Sequence, residues 1–177
     1  MTKSKTKLNV PQRYRPKSLS KTDYKRQTKN LMKSRRLYEE GKYFQRPKVK
    51  SFKSKPSGHV ENAKSMYNID SISASSELAK ATKCKRIALE KIVKKGQGAY
   101  YSSGSRPNQS AHSWGRARLA SAITGGNASV IDYHTLKEYC SPSSKALQLA
   151  TRRRREKGMG TSKKSKKKKS KKKSKKK

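Results

Sequence analysis

The chain has 177 residues, and its 49 lysines and arginines against 10 acidic residues give it a net charge of +39. It contains no secretory h-region and no run of roughly eighteen apolar residues, so we predict neither a signal peptide nor a membrane span. Cys84 and Cys140 lie far apart with no histidine at zinc-finger spacing, so we predict no metal site and two reduced, buried thiols.

The positive charge divides the chain into regions. Residues 1–56 carry a net charge of +16, residues 57–140 carry +6 and residues 141–177 carry +17. Only the central stretch approaches the composition of a globular domain, so we predict a mainly α protein with one small helical domain between basic arms. The predicted regions are a basic arm (1–19), a basic helix with an extended segment (20–56), the helical domain (57–140) and a disordered basic tail (141–177).

The N-terminal region begins with an arm and continues as a helix. Residues 1–19 mix cations with serine, asparagine and two prolines, which indicates an extended arm. From Ser20 a capping-box-like start leads into helical spacing that stops at Gly41, so we predict a basic amphipathic helix over 21–40. Five cations lie on its polar face: Lys25, Arg26, Lys29, Lys33 and Arg36. That face suits phosphates, another protein or solvent alone.

Residues 43–58 alternate aromatic or apolar side chains with cations. One interpretation is that Tyr43, Phe44 and Phe52 stack on nucleic-acid bases while the lysines contact phosphates. The other is that the segment lies extended on a protein surface. A short helix is predicted to follow over 60–67.

Residues 75–95 carry the apolar framework of a helix-turn-helix unit. Ala79 is small enough to let two helices approach, and Leu89 and Ile92 fix the second helix against the first. Lys83 stands where glycine is usual at the turn, which demands a strained backbone or another turn shape. The exposed side of the second helix would present Lys85, Arg86 and Lys91 to DNA. Packed helix pairs also occur in folds that never touch DNA, so both interpretations stay open.

The densest run of unusual residues is GQGAYYSSGSRPNQSAHSWGRARLASAITGG. Gly96 and Gly98 are predicted to end the preceding helix. Ser110 is predicted to cap a helix over 111–123, whose small residues allow close packing and whose main buried anchor is Trp114.

The polar loop before that helix is a candidate anion site. Hydroxyls, cations and free N–H groups that lead into a helix N-terminus suit a phosphate of a nucleic-acid backbone or a nucleotide. The candidate residues are Ser102, Ser103, Ser105, Arg106, Arg116 and Arg118. The alternative is structural, with arginine paired to Asp132 or Glu138.

A second capped helix is predicted to begin at Ser129 and Asp132 and to run to Cys140. His112 and His134 have no nucleophile, paired carboxylate or metal ligand at catalytic spacing. We therefore predict that the protein is not an enzyme and uses no cofactor.

The C-terminal region is the most basic part of the chain. Residues 161–177 contain twelve lysines and no apolar side chain, so we predict disorder. Flexible positive charge condenses onto a polyanion and releases its counterions, although such a run also suits a nuclear-import signal. The predicted phosphate contacts of this region are Arg152, Arg153, Arg154, Arg155, Lys166, Lys167, Lys168 and Lys169.

Three strings of this sequence together resemble a family of small basic proteins of unknown function. They are KVKSFKSKPSGHVENAKSMY, ELAKATKCKRIALEKIVKKGQGAYYSSGSRPNQSAHSWGRARLASAITGG and VIDYHTL. The family occurs in large double-stranded DNA viruses, notably algal viruses, and in some tailed phages. The resemblance covers roughly residues 20–140, and its SRPNQS-to-TGG core is the specific part. It implies a viral source and a virion- or genome-associated role, without an activity.

These features predict a virus-encoded, virion-associated protein that binds nucleic acid, with double-stranded DNA as the expected partner, and coats, condenses or helps package it. One alternative is a minor capsid protein docked to the inner shell, and another is an RNA- or ribosome-associated basic protein. The expected locations are the virion and, during infection, the host nucleus or a cytoplasmic assembly site. We expect no membrane partner.

Overall fold

The computed structural model describes residues 10–158, and it confirms the prediction of a mainly α protein. The helices of this range are α1 (Lys21–Glu39), α2 (Gly58–Tyr67), α3 (Ser76–Thr82), α4 (Arg86–Ser102), α5 (Ala111–Ile123), α6 (Asn127–Ile131), α7 (Tyr133–Tyr139) and α8 (Lys145–Glu156), preceded by a 3-10 turn at Gln12–Tyr14. None of these helices is both long and apolar enough to cross a membrane. The predicted lysine tail, with Lys166 to Lys169, lies outside the described residues.

Short polar side chains start several helices where the sequence predicts. The Ser20 hydroxyl accepts a hydrogen bond from the Asp23 amide at the start of α1. Ser110 and Ser113 form a reciprocal capping box at the start of α5, with both amide-to-hydroxyl distances at 3.0 Å. Each bond satisfies an amide that has no partner within its helix, which is why such residues fix a helix start locally.

The main core is built from residues of the chain from α2 to α8. Its centre is α5, which packs against α2, α4, α6 and α8. Leu119 and Ile123 of α5 are fully buried there. The Tyr67 hydroxyl donates to the Ile123 carbonyl at 2.7 Å, and burial raises the pKa of this phenol. The apolar face of α5 thus organises the other helices.

The prediction that Gly96 and Gly98 end a helix is wrong, because α4 continues to Ser102. A Cβ on Gly96 would lie 2.7 Å from the Cα of Gly115 in α5. Gly96 therefore permits a backbone-close crossing of the two helices, which a larger residue would prevent.

The prediction that residues 141–177 are disordered is wrong for 145–156, which form α8. Ala146 and Ala150 lie one turn apart on the same face of α8, and both are fully buried in the main core. The high charge of this segment masks the helix in the sequence. A narrow stripe of alanine on one face is nevertheless enough to pack it against the core, although arginines follow along the chain.

The N-terminal arm is also packed from Val10 onward. Val10 and Tyr14 form a second buried cluster with Leu31 of α1. Trp114 packs edge-on against Tyr14, with ring centroids 5.8 Å apart. Trp114 is only half-buried, so its prediction as the main anchor of the domain is wrong; it joins the arm to α5 instead.

The helix predicted over 129–140 is two helices, α6 and α7, which meet at Asp132. The proposed cap Ser129 lies buried inside α6 and donates to the Gly126 carbonyl. The Asp132 side chain accepts hydrogen bonds from Arg118 rather than from an amide at the start of a helix. Asp132 therefore forms a tertiary ion pair instead of the helix cap that the local sequence pattern predicts.

Within the predicted helix-turn-helix unit, α3 and α4 are joined through Lys83, which adopts the left-handed conformation at φ +53°. The prediction of reduced cysteines is wrong, since Cys84 and Cys140 form a disulfide. Backbone hydrogen bonds on either side of the two cysteines bring them together. The Lys85 amide donates to the Tyr139 carbonyl at 2.8 Å, and the Ser141 amide donates to the Lys83 carbonyl at 2.9 Å.

The segment between α1 and α2 lies extended on the protein surface, as the second interpretation predicts. The Asn108 carboxamide accepts from the Val49 amide at 2.8 Å and donates to the carbonyls of Val49 and Phe52. The Arg46 guanidinium donates to the Ser34 and Ser105 hydroxyls and to the Tyr100 carbonyl, and lies 3.6 Å over the Tyr100 ring. These contacts hold the segment against α1, α4 and the loop between α4 and α5.

Candidate nucleic-acid interface

One face of α1 is a row of exposed lysines. The buried side of the helix holds Asp23, Gln27, Leu31 and Ser34. The opposite side carries the α1 ridge, which we define as Lys21, Lys25, Lys29 and Lys33. The four-residue spacing stacks these lysines about 6 Å apart along some 18 Å of helix. The ridge is thus a rigid linear array of positive charge.

No lysine of the α1 ridge forms an ion pair with a carboxylate of residues 10–158. The Lys33 ammonium lies 4.5 Å from the centroid of the Phe44 ring, a contact that leaves its charge in place. Of the other predicted cations, Arg26 is exposed and Arg36 pairs with Glu40 at 3.9 Å. The predicted polar face omits Lys21, which its spacing to Lys25 would have identified.

The extended segment widens this basic surface. The amide and hydroxyl of Ser51 both donate to Asp23 Oδ2, at 2.8 and 2.7 Å, and so fix the segment beside the first turns of α1. These hydrogen bonds, first that of the Ser51 amide, lower the pKa of Asp23. The segment's exposed lysines are Lys48, Lys50, Lys53 and Lys55. Residues 20–56 together hold thirteen cations and three acids.

The helix-turn-helix unit presents cations around an open hollow of about 560 Å³, lined in part by Lys80, Lys85 and Arg86. Arg86 Nε lies 2.8 Å from Glu90 Oε1. Lys91 Nζ donates to the Tyr139 hydroxyl at 2.6 Å, and that bond raises the Lys91 pKa. The Lys85 side chain has no hydrogen-bond or ion-pair partner in the described residues, so of the three predicted contacts it is the one most available to a phosphate.

The structure does not assemble the predicted loop site. Ser102 ends α4 and Ser103 follows it, so both lie at the carboxyl end of a helix, where the helix dipole disfavours anions. Arg35 already donates to the Ser103 carbonyl at 2.9 Å. Ser105 is fully buried and accepts from Arg46. Arg106 is exposed, and its side chain makes no hydrogen bond or ion pair within residues 10–158.

Arg118 is structural rather than available to a ligand. Its Nε and Nη2 donate to the two carboxylate oxygens of Asp132, each at 2.8 Å, and Lys95 Nζ lies 3.0 Å from the same carboxylate. The Asp132 side chain has 0% exposure. The alternative of a local carboxylate partner is therefore correct for this arginine. Arg116 is half-buried, and its Nε has no hydrogen-bond partner within residues 10–158.

The arginine run of α8 is partly neutralised. Arg152 and Arg153 both pair with Glu156, at 3.7 and 3.0 Å. The Arg154 guanidinium lies 4.5 Å over the Tyr133 ring. Arg155 is exposed and has no side-chain partner in the described part of the chain. This run is therefore a minor basic patch on an ordered helix.

Residues 10–158 contain no group of three histidine, cysteine or acidic side chains arranged to hold a metal ion. The model of DUF5824, a family of unknown function, matches residues 11–140. No curated protein and no solved structure matches the chain. The matched range contains the α1 ridge, the extended segment and the helix-turn-helix unit.

Proposed function

The chain belongs to the DUF5824 family, and because that family has no assigned function, we propose from the geometry that the protein binds nucleic acid through the α1 ridge and the neighbouring extended segment. The binding is to phosphates, without base reading in the major groove. The observation that carries this proposal is the array of four exposed lysines on one rigid helix face, with no carboxylate of the described residues paired to them.

The physical basis is counterion release. Each lysine that replaces a condensed counterion at a phosphate frees that ion, and the gain depends on charge rather than on base sequence. A helix holds its lysines in register without further ordering, so less conformational entropy is lost on binding than with a flexible tail. The partnered state of Arg86 and Lys91 supports phosphate binding over base reading by the helix-turn-helix unit.

The proposed setting is a virus particle, in which the protein coats, condenses or helps package double-stranded DNA. This part of the proposal is supported by the resemblance to viral proteins and by the overall charge of +39. Extraction of particles with graded salt tests it. A DNA-bound protein leaves with the genome as salt rises, whereas a capsid protein held by apolar burial stays with the shell.

The binding surface is tested by three neutralising substitutions in the α1 ridge, Lys25→Gln, Lys29→Gln and Lys33→Gln, in one protein. The control carries Lys94→Gln, Lys137→Gln and Lys145→Gln, which remove the same charge from exposed positions outside the ridge. The slope of log K against log salt on a random-sequence duplex should fall by about 2.7 in the ridge variant, at about 0.9 per lost contact. Equal slopes in both variants would overturn the proposal.

A further inference from the structure

An open hollow of about 330 Å³ lies on the outer side of α1, within the α1 ridge. Its lining residues are Arg15, Tyr24, Lys25, Thr28, Lys29 and Met32. Five of them belong to α1, and Arg15 comes from the chain that follows the 3-10 turn. The packing of the N-terminal arm beside α1 therefore creates a concave surface on an otherwise convex helix.

The lining combines positive charge with an apolar floor. Arg15, Lys25 and Lys29 contribute three cations, and no carboxylate lines the hollow. The Arg15 guanidinium lies 5.5 Å from the centroid of the Tyr24 ring, and its Nε is buried without a hydrogen-bond partner among the described residues. Met32 is 52% exposed, which leaves its thioether open to a ligand.

This chemistry suits one unpaired nucleotide. A flat base has apolar faces that pack on the Tyr24 ring, the Met32 thioether and the guanidinium plane, while Lys25 and Lys29 reach the phosphates on either side. The hollow is at the small end of ligand-site volumes, which fits a single base rather than a larger ligand. A base that is stacked and paired in a duplex cannot enter it, so a duplex would meet only the lysines.

We propose that this hollow binds an unpaired base of single-stranded nucleic acid, so that the chain binds single strands more tightly than duplexes of equal charge. The inference rests on the proposed function, because the α1 ridge supplies the phosphate contacts. It adds a preference for unpaired bases to phosphate contacts that a duplex also makes, and it is independent of the lysine tail.

The test uses the full chain, a labelled oligo(dT) and a duplex with the same number of phosphates. Met32→Ala removes the floor of the hollow without a change of charge, and Ile131→Ala is the matched control because Ile131 is an exposed apolar residue at 59% outside the hollow. Met32→Ala should weaken oligo(dT) binding about tenfold and duplex binding less than twofold. Tyr24→Ala should act in the same direction, and Tyr24→Phe, which keeps the ring, should restore binding.

Each result either supports or overturns the inference. Equal losses on single strand and duplex, or no loss with Met32→Ala, overturn the inference and leave the proposed function intact. Absence of salt-dependent binding to either probe overturns both. A polyglutamate that binds as tightly as oligo(dT) and shows the same Met32→Ala loss also overturns the inference, in favour of an acidic protein segment. A parallel measurement with oligo(U) extends the test to RNA: a selective Met32→Ala loss on that strand also supports an unpaired base as the ligand.

Discussion

Two of the ten acidic residues, Asp23 and Asp132, are buried and hold elements of the fold together. Asp132 is buried between Arg118 and Lys95, and Asp23 is buried and accepts two hydrogen bonds from Ser51. Both carboxylates hold elements together and neither lies exposed beside the cations of the surface. Because the chain has only ten acidic residues, each carboxylate that is buried leaves the exposed surface more basic.

Asp23 gives the fold a specific acid sensitivity. Its pKa is lowered in the folded chain, chiefly by the Ser51 amide, so its contribution to stability is present above the unfolded pKa of about 3.9 and is lost as pH falls through the folded pKa. Asp23→Asn should therefore flatten the fall of Tm with pH on the acid side of pH 4. Thermal melts from pH 2 to 6 on both proteins check this, and parallel curves would contradict it.

Arg118 and Arg106 should respond oppositely to removal. Arg118→Ala leaves the buried Asp132 carboxylate with Lys95 alone, so the free energy of unfolding should fall by about 2–4 kcal/mol. Arg106→Ala removes an exposed side chain with no partner in the described residues, and should change stability by less than about 0.5 kcal/mol. Urea unfolding of both variants measures the difference, and a strongly destabilised Arg106→Ala would show a contact absent from this account.

At the scale of elements, the crossing of α4 and α5 sets the geometry of the molecule. The crossing is close because Gly96 and Gly115 face each other. α1 packs on the same α4, and the extended segment is held to α4 through Arg46 and Tyr100. The basic surface is thus positioned by helices that contribute little of its charge.

Gly96→Ala should destabilise the protein although alanine favours helices. The added Cβ would lie 2.7 Å from a backbone atom of Gly115, which cannot move without parting the helices, so we expect a loss of about 1–3 kcal/mol. Gly98→Ala is the control, because the added Cβ would meet only the Tyr38 hydroxyl, at 3.2 Å. This substitution should stabilise the protein by about 0.5–1 kcal/mol through the higher helix propensity of alanine. A stabilised Gly96→Ala would refute the close crossing.

Removal of α8 should unfold the main core. A chain that ends at residue 140 exposes the core where Ala146 and Ala150 pack, whereas a chain that ends at residue 160 retains them. We expect the longer chain to melt cooperatively and the shorter one to lose that cooperativity, as followed by circular dichroism. Equal cooperative melts would mean that the main core folds without α8.

The elements that sequence predicts well are those with local causes. The serine caps of α1 and α5 act within four residues, so both helix starts follow from the sequence. Gly96 is ambiguous, because glycine marks both a helix end and a close crossing. The sequence offers Asp132 as one of two carboxylate partners for arginine but does not select it. The disulfide and the hollow beside Arg15 depend on contacts between distant segments, and no local pattern specifies them.

On the scale of the whole molecule, positive charge is present both on ordered helices and in the terminal regions. Deletion of residues 161–177 removes twelve lysines and no acidic residue, which lowers the net charge from +39 to +27. In the proposed function the tail would add affinity without selecting a base sequence, whereas the α1 ridge would add contacts at fixed spacing. The two contributions to binding are therefore separable in one deletion.

The most direct test of this account is the salt dependence of binding by the chain that lacks residues 161–177. On a random-sequence duplex, the slope of log K against log salt should become less steep by several units but keep a magnitude of about 3 or more, because the α1 ridge alone supplies four contacts at about 0.9 each. A slope near zero, or loss of all binding, would contradict the account: the tail alone would bind phosphates and the α1 ridge would be a solvated helix face.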